Sequence, residues 1–287
     1  MSAVARPWAW LRRNALPIYA GLAVAYMLIP IAVIGIFSFG STPKDKLTFA
    51  LNDGFTFEYW ETMFSLPELN EALLTSLKLA AFSTLIATAI GTAMAIALVR
   101  HKFHGRRAAN LLIVIPMATP EVVIGASLLS MFIFYSFALG FTSLLIAHVM
   151  FSISFVVVVV RSRLIGFDRN LEEAAADLGA SPLTTFRTVT LPLLAPGIVA
   201  AAMLAFALSI DDFVISNFNS GTTVTFPLYV YGVSLRGIPV QVNAIATLLF
   251  LVAVIAAAAV LWQQRRAERM AAVRPEPIPV PGTAAAQ

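Results

Sequence analysis

From Leu16 to Phe39 this chain carries no charged side chain, and the same sparseness returns over Ser76–Val99, Ala108–Phe134, Thr142–Val160, Gly197–Phe218 and Ala244–Trp262. About 20 apolar residues at 1.5 Å per residue cover the ~30 Å hydrocarbon core of a bilayer. Inside that core every backbone N–H and C=O must find a partner within the chain, so each run is predicted to be a helix. The expected fold class is an all-α membrane protein with six transmembrane helices. Composition agrees, with 59% hydrophobic residues, 12% charged residues and a mean hydropathy of +0.86, against roughly 25% charged residues in soluble domains. The first run is too long for a signal-peptide core and lacks a cleavage site, so it is expected to remain as a span.

Charge then orients the spans. Of nineteen Lys and Arg, only Lys44, Lys46, Lys78 and Arg236 fall in or near segments that this topology puts outside. The rest cluster in the segments assigned inside, including Arg100–Arg107, Arg161–Arg163 and the tail with Arg265, Arg266, Arg269 and Arg274. The positive-inside rule gives both termini to the cytoplasm. A pI of 9.6 therefore reports topology and not nucleic acid. The expected organisation is a cytoplasmic segment 1–15, a transmembrane domain 16–262 surrounded by lipid, and a disordered cytoplasmic tail 263–287. Gly40–Leu69, with Pro43, Asp45, Asp53, Glu58 and Glu68, is an acidic outer loop with a short helix near Phe57–Phe64. His101 and His104 lie among four cations as solvated loop residues, so no metal site is expected. The chain has no cysteine, which excludes disulfides and thiolate chemistry.

The longest polar interruption between spans is 161–197. Asn170 with Glu173 three residues on has the form of a capping box. Gly179 suits a left-handed turn, Ser181-Pro182 a cap and first-turn proline, and Leu191-Pro192 is expected to close the second helix. Leu171, Ala174, Ala175 and Leu178 make an apolar face that needs a partner. The spacing Glu173-Ala174-Ala175, three residues, Gly179, nine residues, Val189, one residue, Leu191-Pro192 resembles the EAA loop of ABC importer permeases. That resemblance implies a type I ABC importer permease fold in which Glu173, Ala174, Ala175 and Gly179 belong to a cytoplasmic coupling helix seated on an ATPase subunit. Val189 stands where isoleucine is usual.

The intramembrane polar groups bear on the passenger. Glu121 lies thirteen residues from the inner end of the third span and Asp211 fourteen from that of the fifth, which along straight helices puts both roughly 20 Å above the cytoplasmic boundary. Asp212 is adjacent and His148 lies near the same depth. Carboxylates in hydrocarbon face water, a partner or a substrate, and no Lys or Arg of this chain sits at that level, so the implied passenger is cationic. The alternative for Glu121, Asp211 and Asp212 is a structural role, and for His148 a neutral imidazole bonded to a neighbouring helix is expected. Pro116 and Pro120 should kink the third span beside Glu121.

Ser209-Ile210-Asp211-Asp212-Phe213-Val214 and Pro239–Ala244 are similar to the spermidine/putrescine permease subunits of the PotC or PotI kind. The resemblance implies that similar acidic positions lie on a polyamine path; Glu121, Asp211 and Asp212, with Ser209 as a hydroxyl contact, are expected to form that acidic station, and Phe213 and Phe218 are candidate apolar walls for the methylenes. It also implies a second homologous permease subunit, an ATPase dimer, a periplasmic substrate-binding protein and a place in the bacterial inner membrane. No G-x-x-x-x-G-K-[ST] stretch is present, so ATP and Mg are expected on the partner ATPase, with no catalytic residue and no cofactor here. Two other readings stand beside this one. The same kind of machine could carry an amino acid or a metal complex, and an ion-coupled secondary carrier would work without ATP.

Overall fold

The apolar runs become helices in the computed structural model of this protein, which describes residues 5–40 and 55–272. In chain order the helices are α1 (Ala5–Phe37), α2 (Glu58–Glu61), α3 (Pro67–Arg100), α4 (Arg106–Ala118), α5 (Glu121–Phe134), α6 (Phe141–Ile165), α7 (Asn170–Asp177) and α8 (Pro182–Thr185). A π-helical turn (Phe186–Thr190) precedes α9 (Leu191–Ile210), α10 (Val214–Asn219), α11 (Phe226–Ser234) and α12 (Val240–Ala272). The only strand-like pairing among the described residues is an isolated bridge between Gly40 and Phe55. Among the described residues five helices are long and apolar enough to cross a bilayer, and α4 with α5 makes a sixth if the two are one broken span. Pro43, Lys44, Asp45, Lys46, Asp53 and Arg274 lie outside the described residues, as does the tail from 273 onward.

Several boundaries differ from the expected ones for local reasons. α1 begins at Ala5, inside the segment assigned to the cytoplasm, and α12 runs to Ala272, ten residues beyond Trp262. The stretch after Trp262 is built of Gln, Arg, Ala, Glu and Met, all strong helix formers, and Arg266 lies over the Trp262 ring at 3.6 Å, a cation–π contact one turn on. The third run is broken and not merely kinked: α4 and α5 meet at 112° across Thr119 and Pro120. Pro120 cannot donate the bond that would continue α4, and its carbonyl instead accepts from Val123 and Ile124 to start α5. Thr119 Oγ1 donates to the Ile115 carbonyl at 2.7 Å, closing the end of α4.

The chain divides into two units. In residues 64–238, α3, α6 and α9 pack through small side chains. Ala80, Ser83, Ala87, Gly91 and Ala95 are buried along one stripe of α3, and Gly197, Ala201, Ala205 and Ser209 recur every fourth residue along α9. With little hydrophobic drive between helices in lipid, such stripes let backbones approach and gain dispersion contacts. Val156, Val157 and Val160 of α6 fill the spaces opposite. The approach is closest at Gly91, where an added Cβ would lie 2.6 Å from Val156 Cγ1 and 3.3 Å from the Ile153 carbonyl oxygen. In the other unit, 1–63 with 239–287, α1 packs on α12, and Phe39 stacks on Trp60 with ring centroids 5.3 Å apart. Trp60 Nε1 donates there to Ser38 Oγ at 3.2 Å.

Because both Val156 Cγ1 and Cβ lie inside contact distance of a Cβ at position 91, Gly91→Ala should destabilise the fold by about 1–3 kcal/mol through overpacking. Thermal unfolding of the detergent-purified protein measures this. A lowered midpoint is expected, and an unchanged one would show that α3 and α6 are not packed this closely.

Candidate functional site

Two regions hold the residues singled out in the sequence: the break between α9 and α10, and the loop from α6 to α9. At the first, α9 stops at Ile210, Asp211 is its C-cap, and the chain turns through Asp212 and Phe213 into α10. The fifth run is thus interrupted where it was expected to continue to Phe218. The Asp212 carboxylate repairs the interruption, accepting from the N–H of Ile215 at 3.2 Å and of Ser216 at 2.8 Å. Such bonds satisfy the orphan donors of a helix start, and a carboxylate there also meets the positive end of the helix dipole.

His148 of α6 completes the repair. Its Nε2 lies 3.0 Å from Ser216 Oγ and 3.5 Å from Asp212 Oδ2, and its Nδ1 lies 2.7 Å from Ser209 Oγ. Ser83 of α3 donates to Ser209 Oγ at 3.0 Å. A neutral imidazole protonated on Nε2 serves every contact: Ser83 donates to Ser209, Ser209 to Nδ1, and Nε2–H to Ser216 and Asp212. His148 is 2% exposed, Ser209 4% and Asp212 9%, so the network is closed within the bundle. His148 is bonded to α9 and α10, as expected of an imidazole held by neighbouring helices, and these contacts suit a neutral ring. For Asp212 the structural alternative has a concrete form, because helix α10 starts just beyond it and offers two N–H groups.

Asp211, one residue earlier, is exposed, and so is Glu121 at the first position of α5. The structure therefore joins Ser209 and Asp212 through His148 and leaves Asp211 and Glu121 open. The 112° bend between α4 and α5 also means that Glu121's depth cannot be counted along a straight axis. Phe213 packs against the Tyr231 ring of α11, centroids 4.9 Å apart, which sets an aromatic pair two residues from Asp211. Phe218 has a packing role: its ring occupies the space a Cβ at Gly125 would need, at 2.8 Å, while Asn219 Nδ2 donates to the Gly125 carbonyl at 3.2 Å. Sequence reasoning missed Ser216, Asn219 and Tyr231. Ser216 lies seven residues from Ser209, a spacing that would have been informative only if the helix break had been known.

In the second region Gly179 has φ +83°, the left-handed turn expected of it. Ser181 Oγ accepts from the Thr184 N–H at 3.3 Å, with Pro182 at the first helical position, also as expected. Two local expectations are overturned. Asn170 does not cap α7: Asp168 Oδ1 accepts from the Asn170 N–H at 3.0 Å, and Glu173 pairs with Arg169 at 3.4 Å instead of reaching back to a cap. An aspartate two residues upstream supplied the local turn first. Nor does Leu191-Pro192 end the second helix, since Pro182–Ile210 runs on as one span-length helix. The π-helical turn widens the backbone just before Pro192, and the Leu191 N–H bonds the Phe186 carbonyl five residues back. That widened turn absorbs a proline that a regular α-helix would exclude. On α7 no residue is buried, and Leu171 and Leu178 are 48% and 89% exposed.

Residues 87–269 match the family described as the binding-protein-dependent transport system inner membrane component. The spermidine/putrescine transport system permease protein PotC of Haemophilus influenzae is 39% identical over 226 residues, 78% of this chain and 86% of that protein. The putrescine transport system permease protein PotI of Escherichia coli K12 is 35% identical over 236 residues, 79% and 83% of the two chains. A crystal structure of a bacterial ABC transporter involved in the import of the acidic polysaccharide alginate superposes with a TM-score of 0.60 at 17% identity, over 92% of this chain and 99% of that one. At that identity the likeness is one of fold. The family match and these relatives make the chain a multi-pass membrane permease, with a transport role and not a catalytic one. The chain belongs to the binding-protein-dependent inner membrane component family.

With the network around His148 fully paired, Asp212→Ala should strand the N–H groups of Ile215 and Ser216 and destabilise the protein by about 1–3 kcal/mol. Asp211→Ala, at an exposed cap, should leave the unfolding midpoint nearly unchanged. Equal effects of the two substitutions in a thermal unfolding assay would contradict the division of roles.

Proposed function

We propose that this chain is a permease subunit of an ATP-binding-cassette importer that moves a polyamine of the spermidine/putrescine type across the bacterial inner membrane. The observation that carries the reading is the 39% identity, over most of the chain, to proteins named as spermidine/putrescine permeases. The site supports it: Asp211 is an exposed carboxylate at a helix break beside the Phe213–Tyr231 pair. A polyamine offers several ammonium groups on an apolar stem, which calls for spaced carboxylates with aromatic or aliphatic walls. In this reading Glu121 and Asp211 meet the ammonium groups, while Ser209 and Asp212 hold the frame behind them.

The machine is completed by a second homologous permease subunit, an ATPase dimer that carries ATP and Mg, and a periplasmic substrate-binding protein. The chain crosses the membrane six times, with α4 and α5 as one broken span, and both termini are cytoplasmic. Its transmembrane domain is 16–262, flanked by the segments 1–15 and 263–287. Glu173, Ala174, Ala175 and Gly179 shape the face on which the ATPase docks, and the exposed Leu171 and Leu178 offer it apolar surface. Closure of the ATPase dimer on ATP moves this loop and the helices attached to it, which exposes the acidic station to each side of the membrane in turn.

Asp211→Asn and Glu121→Gln each remove one charge-assisted bond of ~1.5–3 kcal/mol, so uptake of labelled spermidine by the reconstituted complex should fall by roughly one to two orders of magnitude. The complex should still purify with its ATPase. Parental uptake in both variants, or transport of an anion, would show that these carboxylates are structural.

A further inference from the structure

Glu172 and Glu173 are neighbours on α7 with opposite surroundings. Glu173 lies 3.4 Å from Arg169 in a pair whose side chains are 63% and 69% exposed, a solvated contact that holds little. Glu172 turns back toward the membrane bundle. Its Oε2 lies 3.0 Å from Arg100 Nη2, in a pair whose side chains are 19% and 16% exposed. Its Oε1 accepts from Thr190 Oγ1 at 2.7 Å. Arg100 is the last residue of α3, and its guanidinium lies 5.4 Å from the centroid of the Phe167 ring, in the segment that joins α6 to α7. Thr190 is buried at the end of the π-helical turn that leads into α9. One carboxylate thus spans three elements, with both oxygens engaged.

The consequence is mechanical. α7 buries none of its residues fully, so little apolar packing fixes it to the bundle, and a left-handed glycine turn follows it. An ion pair that is largely shielded from water is less screened than an exposed one, and the Thr190 hydroxyl adds a charge-assisted hydrogen bond to the same carboxylate. Its anchor points are the inner end of α3 and the start of α9, two helices that pack on each other and on α6 through the small-residue stripes. Glu172 therefore joins α7 to both of these helices.

We propose that Arg100, Glu172 and Thr190 form the tie through which movement of the ATPase-docking helix reaches α3 and α9. Arg100 and Glu172 are positioning residues that touch neither solute nor nucleotide. The inference rests on the assignment of α7 as the docking helix.

The test measures ATP hydrolysis and labelled-spermidine uptake in the same liposomes, with the complete complex and its binding protein. Glu172→Gln and Arg100→Gln should each leave the ATPase bound and hydrolysing within about twofold of the parental rate while uptake per ATP falls about tenfold, the loss expected from breaking one shielded charge-assisted contact. Arg100→Glu combined with Glu172→Arg should recover part of the lost ratio, which a purely space-filling role would not allow. An unchanged ratio in both single variants overturns the tie, and so does a swap as defective as the singles. Loss of the ATPase from both single variants would assign Glu172 to docking and also overturn it. If the parental complex takes up no spermidine on ATP, the proposed function itself fails and the tie falls with it. That result differs from variants that hydrolyse normally and lose only the ratio.

Discussion

In hydrocarbon a backbone N–H or C=O without a partner costs several kcal/mol, and the arrangement of this protein follows from where its helices break and what repairs each break. At the α9–α10 interruption the repair is Asp212, which caps α10 and is itself held by His148. Between α4 and α5 it is the Thr119 hydroxyl together with the Pro120 carbonyl. Before Pro192 it is a π-helical turn. Of these, the Asp212 carboxylate is a group that a continuous helix would have had no use for.

That accounting separates residues that look alike in sequence. Asp211 and Asp212 are adjacent acids, yet one closes a helix start inside the bundle and the other is left exposed at a helix end. Glu172 and Glu173 are likewise adjacent, and one is tied into the bundle while the other faces solvent. In both pairs the direction of the local helix decides which side chain finds partners. The division of labour between framework and contact surface is therefore set by backbone geometry, with the same side-chain chemistry on both sides of it.

Much of this was legible in the sequence. Charge-free runs near the length of a bilayer core announce helices because lipid leaves the backbone no other option, and the Glu173–Pro192 spacing pointed to the family to which the chain belongs. Gly179 and Ser181-Pro182 acted as their local chemistry dictates. What could not be read were outcomes of tertiary geometry. Asp168 took the capping role given to Asn170, Pro192 was absorbed by a π-helical turn, and the Pro120 break turned the chain by 112° where a kink was expected. The tie between Arg100 and Glu172 joins residues seventy-two positions apart, and no local pattern marks it.

The central claim is that this permease moves its solute only when a separate ATPase drives it. The direct measurement is uptake of labelled spermidine by liposomes holding the complete complex, with ATP supplied, withheld or replaced by a non-hydrolysable analogue, and with proton and sodium gradients imposed or collapsed. The account predicts uptake that requires hydrolysis and is indifferent to the gradients. Uptake by this chain alone that follows a gradient without ATP would contradict it.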